Sequence, residues 1–132
     1  GLWHAPVIAM GHNYGLDYPG RPWLGMLAMV LFCAAVGTLL GWLTLKEGSV
    51  WPAVIAHGAL NGIAGLGLVA VKGAPSVLLG PAPTGILGGL FFTLFALGLL
   101  LKPGALEPGK EKWHPEPIIL PQEPAPKPPE KE

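Results

Sequence analysis

Apolar and polar positions alternate in long blocks along this chain. Three apolar stretches stand out, at residues 23–45, 50–71 and 86–101. A bilayer core takes about 20 helical residues, so the first two are long enough to cross one. The third is shorter and could begin nearer Val77, but Pro81 and Pro83 argue for a break before it. Residues 1–10 read as the end of a further helix that starts upstream. Lys46-Glu47-Gly48-Ser49 is a short connection, which makes the first two stretches an antiparallel pair. Ser49 is a fitting N-cap for the second, with Pro52 tolerated in its first turn. The pattern predicts an all-α fold: a multi-pass transmembrane helix bundle over residues 1–101. Residues 102–132 are rich in Pro, Glu and Lys and are expected to form a disordered tail.

Composition sharpens this picture. The chain has 132 residues, 51% of them hydrophobic and 12% charged. A soluble domain carries about twice that charge. Between Leu24 and Leu101 the only charged residues are Lys46, Glu47 and Lys72. No basic face or stripe exists, which excludes a nucleic-acid partner. The single cysteine, Cys33, lies in an apolar stretch and reads as a small buried hydrophobe. Lys46 and the lysines after Leu101 bias the C-terminal tail toward the cytoplasm, leaving Arg21 and Lys72 outside.

Polar residues inside the apolar stretches are where chemistry is expected, because burying them costs free energy without partners. His57 and Asn61 are four residues apart, one helical turn on one face. Gly58 and Gly62 beside them form a small-xxx-small pattern that admits a close helix neighbour. His4 closes the first apolar segment. His12 falls in a loop and reads as solvated or structural, and His114 in the tail reads as incidental. No nucleophile elbow, dinucleotide fingerprint, P-loop or His-Glu-x-x-His occurs. The apolar stretches hold no carboxylate that could act as general base toward water.

Two segments carry a family resemblance. Gly1-Leu-Trp-His4-Ala-Pro resembles the second signature of the CPBP family, the CAAX protease and bacteriocin-processing membrane proteins also called Abi. Gly48-Ser-Val-Trp-Pro-Ala-Val-Ile-Ala-His57-Gly-Ala-Leu-Asn61 is similar to its third. The resemblance covers about residues 1–65. It implies an intramembrane endopeptidase that hydrolyses a peptide bond with an activated water and acts on a peptide or prenylated protein substrate in the cell membrane. It implies that His4 works with a glutamate to activate the water, while His57 and Asn61 stabilise the oxyanion. A zinc ion held by His4 and His57 is the other scheme it leaves open.

The family's first signature, Glu-Glu-x-x-x-Arg, does not occur in this sequence. The chain therefore reads as the C-terminal part of such a protease, inactive by itself. Two rival readings stand beside it. One is a non-catalytic bacteriocin self-immunity or scaffold protein of the same fold. The other is a small transporter component, for which an inverted repeat would be expected, and none is visible.

Overall fold

The structure is a computed structural model, and it describes residues 1–109. Among these residues every regular element is helical. A 3-10 turn, Leu2–His4, runs directly into α1, Ala5–Ala9. After a looped segment come α2 (Trp23–Glu47), α3 (Trp51–Ile63), α4 (Leu66–Ala70) and α5 (Leu90–Leu101). The all-helical expectation holds for these residues. Among the described residues spanning length is met by α2 alone: 25 residues with an apolar composition, about 37 Å at 1.5 Å per residue.

The other stretches differ from the continuous helices that hydrophobicity alone predicts. Residues 50–71 are divided, with a turn at Ala64 and Gly65 separating α3 from α4. Gly62, Gly65 and Gly67 crowd this region, and glycine lowers helix stability by about 1 kcal/mol per residue. Gly67 also lies close against another part of the chain; a Cβ there would meet the Pro81 carbonyl oxygen at 2.6 Å. The third stretch becomes helical only at Leu90. Residues 71–89 are irregular, as Pro81 and Pro83 require, and α5 is 12 residues long.

Helix α2 is the post on which the rest packs: α3, α5 and the 3-10 turn all contact it. Helix α3 returns antiparallel after a tight turn at Gly48, whose φ of 61° suits glycine. The backbone N–H of Trp51 donates to Ser49 Oγ at 3.3 Å, although the capping position itself is Val50. Aromatic pairs seam α2 to α5. Phe32 meets Phe92 edge-on at 5.8 Å, and Trp42 meets Phe95 at the same separation. Because both partners advance together along the sequence, α2 and α5 run in the same direction.

Their C-terminal ends therefore lie together. Residues 102–109, which composition assigns to the tail, fold back over the end of α2. Lys46 Nζ donates to the Glu107 carbonyl at 2.9 Å and to that of Gly104 at 3.4 Å. The Gly109 N–H donates to the Leu45 carbonyl at 3.1 Å, and Ala105 is buried. These bonds use one of the carbonyls that a helix end leaves without an intrahelical partner. The expected disorder of the remaining tail, 110–132, concerns residues outside those described.

At the opposite end of α2 the core gathers Ile8, Tyr14, Ala28, Met29 and Leu78. The turn that delivers Tyr14 uses positive φ at Gly11, Asn13 and Gly15. Tyr14 OH donates to the Thr84 carbonyl, so the loop after α1 and the loop before α5 share one anchor.

Candidate functional site

His4 ends the 3-10 turn, and the turn is pressed against α2: a Cβ on Gly1 would stand 2.6 Å from the Val30 Cα. Only glycine permits that approach. Pro6 follows in the first turn of α1, where its missing N–H costs nothing. The imidazole of His4 is half-buried. Its Nδ1 is fully buried and has no hydrogen-bond partner among the described residues. The Trp3 ring stands perpendicular to it, with centroids 5.0 Å apart.

His4 opens onto a shallow hollow of about 530 Å³ lined by Trp3, His4, Val7, Met10, Gly11 and His12. The sequence assigned His12 a structural or solvated role, and its side chain is exposed. It nonetheless lines the same hollow as His4, because Gly11 at φ 97° reverses the chain and the His12 N–H bonds to the Val7 carbonyl at 2.9 Å. A glycine eight residues or fewer from a candidate histidine, followed by a second histidine, is the signal that could have suggested this neighbour. Asn13 in the same turn has its Oδ1 buried without a partner.

His57 and Asn61 lie on α3, one turn apart as their spacing requires. Both side chains are exposed, and neither makes a hydrogen bond among the described residues. Gly58 and Gly62 beside them have open space where a Cβ would stand. The whole of α3 contains no buried residue. The face that carries this pair is therefore free of the rest of the described chain.

The hollow beside His4 does not include His57 or Asn61. All three residues belong to elements that pack on α2, but at different heights. Counting back through the α2–α3 turn sets Asn61 near the level of Gly37, while the 3-10 turn meets α2 at Val30. The rise between those levels is about 10 Å. Zinc takes four ligands in a structural site and three plus water in a catalytic one. Among the described residues no three His, Cys, Asp or Glu side chains come together. His4 and His57 do not by themselves make a zinc donor set.

The comparisons with known proteins fall on this same region. Residues 1–63 match the family described as Rce1-like, type II CAAX prenyl endopeptidase. The matched stretch begins at the 3-10 turn and ends with α3, so it takes in His4, His57 and Asn61. No curated protein and no solved structure matches the chain.

Proposed function

We propose that this chain is the part of an intramembrane CAAX-type endopeptidase that carries its histidines and its oxyanion donors. The observation that carries the reading is the Rce1-like match, which covers all three candidate residues in one continuous stretch. The side chains support it independently. His4 holds a buried Nδ1 with no partner, an arrangement that costs free energy until an acceptor arrives. A carboxylate is the natural acceptor. It would hold the imidazole in one tautomer and let the ring orient and deprotonate a water. His57 and Asn61 present donors on an open helix face. Held about 3 Å from a carbonyl oxygen, such donors stabilise the charge that develops as water adds.

The acids preceding Gly48 are Asp17 and Glu47, and neither lines the hollow beside His4. The proposed scheme takes its carboxylate from a Glu-Glu-x-x-x-Arg helix seated between His4 and the open face of α3. That helix would occupy the space over Gly58 and Gly62 and bridge the height difference along α2. Without it, this chain is proposed to be inactive. The scheme needs no metal.

The proposed setting is multi-pass, with α3–α4 and α5 crossing beside α2. Trp23 and Trp51, exposed at the starts of antiparallel helices, are where interfacial anchors belong. The clasp of Lys46 on residues 104–107 gathers Lys46 and Lys102 at one end of the bundle, which supports a cytoplasmic end there. The substrate is proposed to be a prenylated protein or peptide.

The test is hydrolysis of a farnesylated CAAX peptide by the intact protein in membranes, compared with its His4→Ala variant. Release of the terminal tripeptide by the wild type and its loss in the variant are expected. Absence of cleavage by the intact, correctly inserted protein would favour the non-catalytic scaffold reading.

A further inference from the structure

We infer that Arg21 holds the C-terminal carboxylate of the substrate, and so selects a chain end over an interior peptide. The inference rests on the reading of this chain as part of a CAAX-type endopeptidase. A substrate cut to release its terminal tripeptide carries a free carboxylate three residues beyond the scissile bond. That charge is what an interior segment lacks, and a cation placed at the matching distance from the water-activating residue distinguishes the two.

Arg21 stands at such a distance from His4. The five residues of α1, Ala5–Ala9, follow His4 directly and advance about 8 Å along the helix axis. Arg21 Nη2 donates to the Ala9 carbonyl at 3.1 Å, one of the carbonyls that the end of α1 leaves without an intrahelical partner. The guanidinium is therefore held about 10 Å along the axis from His4. Three extended residues reach about 10 Å. The hollow follows the same course. His4, Val7 and Gly11 line it, and their spacing of three and four puts them on one face of the α1 turns. Met10, bonded to Ala9, lines its far end, so the guanidinium stands at that rim.

The chemistry of the rim suits an anion. Arg21 is exposed, and the Ala9 carbonyl is its only hydrogen-bond or ion-pair partner among the described residues. A guanidinium carries five N–H donors in a rigid fork, so an edge remains for a carboxylate while one N–H stays on Ala9. No acidic side chain lines the hollow to repel the incoming charge. With the carboxylate on Arg21 and the scissile carbonyl near His4, the remainder of the substrate extends toward the level of Asn61. A purely structural Arg21 would use the Ala9 bond alone and would be blind to how the substrate ends.

The experiment measures kcat and KM of the intact protein in membranes for a farnesylated CAAX peptide with a free C-terminal carboxylate and for the same peptide ending in a carboxamide. The wild type is expected to favour the acid by about tenfold in kcat/KM, the lower end for a charge-assisted contact open to solvent. The difference should lie in KM, because the terminal carboxylate is the same before and during the chemical step. Arg21→Gln should abolish the preference, and Arg21→Lys, which keeps the charge without the fork, should retain part of it. Each preference is a ratio within one preparation, so the amount of inserted protein cancels. If Arg21→Gln does not insert at all, Arg21→Lys decides, and an undiminished preference there overturns the inference. Equal cleavage of acid and amide by the wild type, or a preference undiminished in Arg21→Gln, overturns it while leaving the protease reading intact. Cleavage of neither peptide by the inserted wild type removes that reading and the inference with it.

Discussion

Tyr14 and Thr84 are 70 residues apart, and the phenol of one donates a 2.7 Å hydrogen bond to the carbonyl of the other. Tyr14 is 1% exposed, and burial above all pushes its phenol up to about 12. The pair ties the loop after α1, and hence the turn behind His4, to the loop that launches α5. Tyr14→Phe should lower unfolding stability by about 1 kcal/mol, because the bond is lost and a carbonyl is left without its donor. The pH dependence has a definite sign. The folded phenol holds its proton more tightly than the unfolded one, so its contribution is complete below pH 10 and fades as pH rises toward 12. Thermal midpoints in detergent between pH 8 and 11.5 should fall more steeply in the wild type than in Tyr14→Phe.

Gly25 and Gly41 lie on the same helix and should respond oppositely to alanine. A Cβ on Gly25 would press on the Tyr18 hydroxyl and stand 2.9 Å from Tyr14 Cδ2. Gly25→Ala should therefore loosen the Tyr14 anchor and destabilise the protein by about 1–3 kcal/mol, as overpacking does. Around Gly41 nothing lies within 4 Å of an added Cβ. Gly41→Ala should be neutral or gain up to about 1 kcal/mol in helix preference. Chemical unfolding of the two variants in one detergent checks the contrast, and equal destabilisation would show that Gly41 has a neighbour outside the described residues.

The helical class, the antiparallel α2–α3 pair, the proline break before α5 and the shared face of His57 and Asn61 were all legible in the sequence, because each follows from local spacing. What was not legible depends on contacts between distant residues. The partition of 50–71 turns on glycines and on the approach of Gly67 to Pro81, which hydrophobicity does not register. The return of His12 to His4 is set by one positive φ at Gly11. The ordered clasp at 102–109 reads as tail by composition, and only the proximity of the α2 and α5 ends gives Lys46 carbonyls to bind. The height difference between His4 and Asn61 follows from where Gly1 meets α2, a contact that no motif encodes.

The clasp itself is open to test. Lys46 donates to two carbonyls of the 102–109 segment, and both bonds are exposed, so their loss should cost little global stability. The local effect should be larger. Lys46→Met is expected to increase the amide hydrogen exchange of Gly109, whose N–H is held by the Leu45 carbonyl, by several-fold. Exchange at the Thr93 amide inside α5 should stay unchanged. Mass-spectrometric exchange in micelles measures both, and unchanged Gly109 protection would mean that the backbone bond alone holds the segment.

His57 and Asn61 offer the sharpest test of the oxyanion assignment. Both are exposed on α3 without hydrogen-bond partners among the described residues. Truncating either should therefore leave insertion and thermal stability nearly unchanged. In the intact protein, Asn61→Ala should lower kcat by about 10²–10³, the usual cost of losing one oxyanion donor. Asn61→Asp matches the native side chain in shape but offers a negative charge where an N–H is needed, so it should fall at least as far. His57→Gln retains an N–H donor and should lose less than His57→Ala. The effects should lie in kcat, because the charge appears only as water adds to the carbonyl. A loss expressed in KM alone would make the pair substrate-binding residues. Equal activity of Asn61→Asp and wild type would end the proposal that Asn61 donates to the oxyanion.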